Sequence, residues 1–458
     1  MQLHALRRAA ALACLAAGGA AAQPTPDTQA LRREIDALRA DYERRLQALE
    51  QRLQAAEAAV AAPPAAPPAR EPAPALATAS PAAPGGRGLD LTLILSGQVQ
   101  RTRLDPASYR IRGFALPPDA EIGPGTRGFS LAETELTLAA NIDPWWRGAA
   151  TFALTPENEL EVEEAYVQTT ALGRGLGVRA GRFLSSIGYL NAQHRHAWDF
   201  ADAPLAYQAM LGTQFADDGL QLAWVAPTER YFELRAEVGR GRSFPGSDTS
   251  RNGAGAAVLS AHAGDDIGSS HSWRAGLSYL RARASGQELA ATDSAGNDVV
   301  NAFTGSSRVW IADAVYRWAP GGNARQRNFK LQGEYLHATR AGELVVDTAG
   351  LAAPGGFRSV QSGWYLQGVY QFMPRWRFGL RTERLQPGNP QLGANAGLLD
   401  PGAGTPRKHT LMLEHNPSEF SRIRLQLAND RARGAGPTDL QWLLQYQMSL
   451  GAHGAHGF

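Results

Sequence analysis

The chain has 458 residues, 45 basic against 43 acidic, and a single cysteine, Cys14. Beyond the first 25 positions no run of 18 or more apolar residues occurs, which excludes a mature helical membrane protein. The near-balanced charge makes no case for nucleic acid, and one cysteine gives no disulfide framework. Either two or three soluble domains or one large barrel with appendages fits this length, because membrane strands are only half apolar.

Residues 1–22 read as a secretory signal. Arg7 and Arg8 form its positive region, Ala9–Ala17 its apolar region, and Ala20-Ala21-Ala22 a small-residue cleavage site before Gln23. Cleavage there removes Cys14 and two arginines, which balances the 43 acids. A helix start follows at Thr25-Pro26-Asp27. Leu31, Ile35, Leu38, Tyr42, Leu46, Leu49, Leu53, Ala56 and Val60 then recur at three- and four-residue spacings between Arg, Glu, Gln and Asp. This spacing predicts a coiled-coil helix over 23–60, able to self-associate, with a lone amphipathic helix as the plainer reading. The Ala/Pro-rich stretch 61–88 cannot bury a core and reads as an extended spacer.

From about residue 89 to 458 the pattern changes to period two, in segments of the length a tilted membrane strand needs. Leu136, Leu138 and Ala140 oppose Glu135, Thr137 and Asn141; Phe232, Leu234 and Ala236 oppose Glu233, Arg235 and Glu237. Trp442, Leu444, Tyr446, Met448 and Leu450 oppose Gln441, Gln445, Gln447 and Ser449, with Leu443 as the exception. Short proline or glycine turns alternate with long connections at roughly 104–127, 184–217, 241–253, 285–307, 343–360, 386–406 and 430–437, plus a tight one near 155–158. The count is sixteen strands, an all-β antiparallel transmembrane barrel behind the periplasmic helix. Trp145, Trp146, Trp224, Trp318 and Trp376 all stand beside short turns, as a headgroup-level aromatic girdle requires.

The parity opposite the apolar one would line a lumen. Its basic candidates are Arg147, Arg179, Arg235, Arg274, Arg317, Arg375, Arg377, Arg381, Arg422 and Arg424; its acidic ones are Glu133, Glu135, Glu161, Glu163, Glu233 and Glu237. Arginines near 375–381 and 422–424 and acids near 133–135 and 159–164 suggest opposed walls that orient polar solutes across a wet constriction. The plainer reading is that these charges only solvate a wide lumen. The 185–212 stretch holds Tyr189, His194, Arg195, His196, Trp198, Asp199 and Asp202, a content suited to a third loop folded into the barrel; an exposed, oligomer-latching loop is the alternative. Two histidines at i, i+2 do not complete a metal site, and no CxxC or HExxH set exists, so no metal or other cofactor is expected. No Gly-x-Ser-x-Gly elbow or phosphate-cradling loop occurs, which argues against an enzyme.

Four stretches, GFSLAETELTLAANIDPWW (128–146), LTPENELEVEEAYVQTTAL (154–172), AGRFLSSIGYLNAQHRHAWDF (180–200) and QYQMSLGAHGAHGF (445–458), carry a family likeness. The chain resembles Gram-negative outer-membrane porin-like proteins with an N-terminal coiled coil, among them phosphate- and carbohydrate-selective porins. It also resembles a proteobacterial subgroup labelled zinc-regulated TonB-dependent receptors, without their plug. The likeness implies an outer-membrane location among lipid and insertion by the barrel-assembly machinery through Phe458. It also implies a homotrimer and a pore narrowed by the third loop. The expected function is diffusion of small hydrophilic solutes, anionic ones among them. Two alternatives stay open: a metal-responsive uptake receptor, and a barrel that ties the outer membrane to the cell wall through its coiled coil.

Overall fold

The computed structural model describes residues 88–451 apart from 133, 157–158, 249–251, 401, 403 and 435. The signal, the coiled coil, the linker up to 87, Glu133, His453, His456 and Phe458 lie outside the described residues.

Backbone polar groups cannot go unpaired in hydrocarbon, so strands can cross a membrane only in a sheet without edges. The described residues satisfy that condition with sixteen strands. They are β1 (Leu89–Thr102), β2 (Gly128–Leu131 and Thr134–Asn141), β3 (Trp146–Leu154), β4 (Leu160–Thr169), β5 (Leu176–Leu184), β6 (Ala216–Val225), β7 (Tyr231–Gly239) and β8 (Ala256–Ile267). The second half comprises β9 (His271–Thr292), β10 (Asp298–Trp318), β11 (Asn328–Val346), β12 (Ala353–Met373), β13 (Trp376–Gln386), β14 (Arg407–Ser418), β15 (Ser421–Asp430) and β16 (Asp439–Gly451). Each pairs antiparallel with the next. β1 closes the ring, running from Thr92 opposite Gly451 to Thr102 opposite Gln441, while its other edge takes both pieces of β2.

Burial alternates along these strands as the sequence does. In β16 Leu440, Trp442, Leu444, Tyr446, Met448 and Leu450 are exposed, while Gln441, Gln445 and Gln447 are buried. The same outward set includes Leu222, Leu277, Leu380 and Leu427, each about half exposed. So much bare aliphatic surface on every side has no aqueous explanation. It is the belt of an outer-membrane barrel wetted by lipid. Indoles mark its short-turn rim at Trp145, Trp146 and Trp273. A second aromatic level carries Tyr279 against Trp310, with ring centroids 4.5 Å apart, and Tyr335 opposite Trp364. No helix among the described residues is long and apolar enough to cross a membrane.

Four strands differ from the expected lengths. β9, β10, β11 and β12 run for 22, 21, 19 and 21 residues, and about ten would suffice to span. Stretches expected as long loops near 285–307 and 343–360 are therefore strand, with turns only around 293–297 and 347–352. The extension is held by apolar packing beyond the belt: Leu289, Phe303, Leu344 and Val346 form a buried cluster.

Candidate functional site: the filled lumen

The 185–215 connection carries a 3-10 turn at Arg195–Ala197 and one short α-helix, α1 (Leu205–Leu211), capped by Gly212 in the left-handed region at φ 64°. Its polar groups bond side chains all around the ring. Ser185 and Ser186 donate to Glu237 of β7 at 2.6 Å each. The Gly188 amide donates to Ser278 of β9 at 3.0 Å. Amides of Tyr189 and Leu190 donate to Glu334 of β11 at 3.1 and 3.0 Å, and the Tyr207 hydroxyl joins them at 2.8 Å. Gly188 has φ 69°, and a side chain there would meet the Glu334 carboxylate and Tyr207 hydroxyl at once, so glycine lets the backbone come this close.

Further along, two aspartates make the strongest contacts. Asp199 pairs with Lys330 of β11 at 2.9 Å and with Arg377 of β13. Asp202 pairs with Arg381 of β13 at 2.9 Å and with Lys408 of β14 at 2.7 Å. Burial alone would raise both carboxyls, but the facing cations outweigh it and hold both well below the usual carboxylate range. Arg424 of β15 donates to the Trp198 carbonyl at 2.8 Å, and Arg422 donates to the His196 and Trp198 carbonyls. The Leu205 amide at the start of α1 donates to Glu383 of β13.

Apolar packing closes what these bonds outline. Ile187, Leu190, Leu205, Tyr207 and Leu211 share one buried cluster with Val258, Leu280, Val309, Ile311, Leu336 and Leu385 from β8–β13. Those wall residues are at most 2% exposed; an open, water-filled bore would wet them. The 103–127 connection joins the same cluster through Tyr109, Ile111, Phe114 and Leu116, and the Tyr109 hydroxyl donates to Asp430 at 3.1 Å.

The expected lining residues divide into three groups. Arg147, Arg179, Arg274, Arg317, Arg377 and Arg422, with Lys330, stand near the short-turn ends of β3, β5, β9, β10, β13, β15 and β11, while Arg235 stands at the middle of β7. They make a basic collar around the ring rather than one wall. The acids of β2–β4 are not diametrically opposite the arginines of β13–β15, since β3 and β14 are only five of sixteen strand steps apart. Arg381 and Arg424 sit deeper and are fully buried. Arg375 departs from expectation: it lies in the β12–β13 turn, exposed, with φ 69°, and donates to the Pro417 carbonyl. Glu161 is exposed near the opposite end of β4. Glu233 pairs with Arg235 at 2.7 Å, and Arg147 with Asp90 at 2.7 Å. Arg317 donates to the Tyr189 hydroxyl at 3.0 Å; Arg195 pairs with Glu121 of the 103–127 connection at 2.9 Å.

Several residues central to this arrangement were not singled out by the sequence. Glu164 is buried because a register shift at Thr151/Phe152 sets two β4 residues against one of β3, reversing the parity read from Glu161 and Glu163. Glu414 on β14 receives Arg377 and Arg424 at 2.9 Å each and Arg422 at 3.6 Å. His194 touches Glu163 at 2.9 Å and Glu164 at 3.1 Å, while His196 touches Glu135 at 2.7 Å. Burial disfavours the His194 charge, yet Glu163 and Glu135 outweigh that and hold it well above the usual imidazole value.

No protein-family model matches the chain. It is 32% identical over 350 residues, 72% of this chain and 70% of the relative, to an uncharacterized protein of Aquifex aeolicus (strain VF5). Among solved structures it is similar to a loop-L8 deletion mutant of OmpT, an outer membrane protein of Vibrio cholerae, at a TM-score of 0.49 and 10% identity, covering 79% of this chain and 99% of that one. It is also similar to Pseudomonas putida OprB, at a TM-score of 0.47 and 14% identity, covering 80% and 94%. A third is an anion-selective porin from Comamonas acidovorans, at a TM-score of 0.46 and 10% identity, covering 79% and 99%.

Proposed function

The chain belongs to the same family as the uncharacterized Aquifex aeolicus protein, and from its barrel and basic collar we propose that it is a gated porin of the outer membrane. Small hydrophilic solutes, anions preferentially, diffuse through its lumen, and the 185–215 segment is the inward-folded third loop that sets the width of the path. The observation carrying this reading is how that segment is held. Its charged contacts are reversible ion pairs, so it can leave without breaking the wall of strands. A basic collar at the short-turn mouth concentrates anions before they reach the segment.

The remaining sequence expectations join the proposal as its assembly: a homotrimer organised by the 23–60 coiled coil, and insertion by the barrel-assembly machinery through Phe458. One observation favours a second reading. Wall side chains at mid-barrel are nearly dry, as they would be in a barrel that stays shut and serves as a tether to the cell wall through the coiled coil.

Reversal potentials in a salt gradient across a planar bilayer separate the two. The porin passes current and prefers chloride over potassium; a tether passes none. The cleanest charge variant is Arg179→Glu with Arg274→Glu. Among the described residues neither has a carboxylate within 4.0 Å; Arg179 donates to Gln168 at 3.1 Å and Arg274 lies over the Tyr189 ring. The double substitution is expected to lower the chloride-to-potassium permeability ratio at least about threefold. An unchanged ratio would remove the collar from the account. Arg377 and Arg424 are poorer tests, because their ion pairs also hold the segment and its wall.

A further inference from the structure

Where residues 194–196 meet β2 and β4, ligand-type atoms from three separate stretches converge. Glu135 Oε1 lies 2.7 Å from His196 Nδ1, and Glu135 Oε2 lies 3.3 Å from His194 Nδ1. Glu163 Oε2 approaches the same His194 nitrogen at 2.9 Å. The two imidazoles stack with centroids 5.5 Å apart, and one ligand atom each from Glu135, His194 and His196 lie within 4.8 Å of one another.

Protons alone satisfy this cluster poorly. The Nδ1 of His194 can donate one hydrogen, yet two carboxylates compete for it. Glu135, only 1% exposed, keeps its Oε2 buried with no hydrogen-bond partner. The nearest charge to that oxygen, the His194 ring 3.3 Å away, is shared with Glu163, so the buried carboxylate stays under-satisfied and a cation between the donors would relieve it.

We propose that Glu135, Glu163, His194 and His196 bind a divalent transition-metal ion of the zinc class. Two imidazole nitrogens and two carboxylate oxygens are the four donors that a closed tetrahedral site needs. Bonds of about 2.0–2.2 Å place neighbouring donors roughly 3.3 Å apart; the Glu135, His194 and His196 donors close on an ion with side-chain shifts of about an ångström, and Glu163, 2.9 Å from the His194 nitrogen, swings in as the fourth. Nitrogen donors argue against calcium and magnesium, and the lack of sulfur argues against copper(I). Glu164 supplies the outer shell: its Oε2 lies 3.1 Å from His194 Nε2. That contact fixes the tautomer with Nδ1 bare and turned to the ion. The β4 bulge makes this possible, because it brings the consecutive residues Glu163 and Glu164 to the two nitrogens of one ring. Binding releases the His194 Nδ1 proton. A bound ion would staple the 185–215 segment to β2 and β4, on a different arc of the ring from the Asp199 and Asp202 contacts.

No ligand motif announces such a site in the sequence, since its donors come from positions 135, 163, 194 and 196. The test uses full-length protein without an affinity tag, folded in detergent and carrying His453→Ala/His456→Ala to remove the terminal histidines. Zn²⁺ titrated by calorimetry is expected to bind one ion per chain. In His194→Ala/His196→Ala the affinity should fall at least about a hundredfold, and in Glu164→Gln about 10–100-fold. Co²⁺ should show the visible bands of tetrahedral coordination and lose them in Glu135→Gln. If the double histidine variant fails to fold, Glu135→Gln and Glu163→Gln decide instead, and each should weaken Zn²⁺ binding. Absence of stoichiometric Zn²⁺ binding, or unchanged affinity in the folded variants, overturns the site. The ion is measured directly, so a barrel that conducts nothing leaves this test intact.

Discussion

Alanine at both Asp199 and Asp202 is expected to hold open a barrel that is otherwise mostly shut. Asp199 is buried and Asp202 partly so, each against two cations, Lys330 and Arg377 for the first and Arg381 and Lys408 for the second. Removing one partner of a buried pair costs about 3–5 kcal/mol, mostly because the other charge stays desolvated. Here Arg377, Arg381 and Lys408 keep Glu414, Glu383 and Asp430 beside them, but Lys330 loses its carboxylate and recovers water only if the segment moves away, so the cost falls on the closed state. Even the lower figure corresponds to about a hundredfold rise in the open-to-closed ratio. Single-channel recordings should show long openings where the parent protein shows brief ones.

Acid should do the same. Both carboxyls are held below their unfolded values. Their contribution is therefore complete above the usual aspartate value of about 4 and disappears as pH falls below it toward the folded values. Conductance should stay level from roughly pH 8 to 5 and rise under about pH 4. The Asp199→Asn/Asp202→Asn variant should lack that rise.

Glu414→Ala should cause the largest loss of barrel stability. This carboxylate is 1% exposed and faces the guanidiniums of Arg377, Arg422 and Arg424 on two flanking strands. Without it three cations share a dry patch, with Asp199 left as a carboxylate partner for Arg377. Unfolding in urea from lipid vesicles should register a loss of about 3–5 kcal/mol. Glu414→Leu combined with Arg424→Met removes both members of the nearest pair and should recover part of it. A single Glu414→Ala change that left the unfolding midpoint in place would mean that water reaches these charges.

Much of this was legible because a pleated strand exposes alternate residues to opposite solvents. Trp442, Leu444, Tyr446 and Met448 cannot be arranged otherwise in a strand, and short proline or glycine turns marked where hairpins reversed. The filled lumen was harder to see. A polar inner parity suggested water, yet Tyr279-Leu280, Trp310-Ile311 and Tyr335-Leu336 each place two apolar residues in succession, and the second of each proves to be a dry wall residue. Those breaks in alternation were the available signal. The contacts holding the segment had none: Asp202 and Lys408 lie 206 positions apart, and nothing local in either stretch names the other. In the strand extensions, charged outward residues such as Arg281, Arg283 and Arg308 disguised Leu289 and Phe303 as parts of polar loops. Glu164 was hidden by a bulge, because one inserted residue inverts every parity beyond it.

The most direct test fixes the segment in place and asks whether current stops. A side chain at Gly363 on β12 would start 3.3 Å from the Cβ of Ala206 on α1, near the 3.5–4.5 Å range of a disulfide, roughly 3.8 Å on average. The Leu385 side chain must swing aside to admit it. Cys14 is the only native cysteine and belongs to the predicted signal, so Ala206→Cys/Gly363→Cys can pair cleanly. Recorded in a planar bilayer, the oxidised barrel should fall to the leak level and regain its steps when a reductant is added. Equal conductance in the two redox states would contradict the segment's role as the gate.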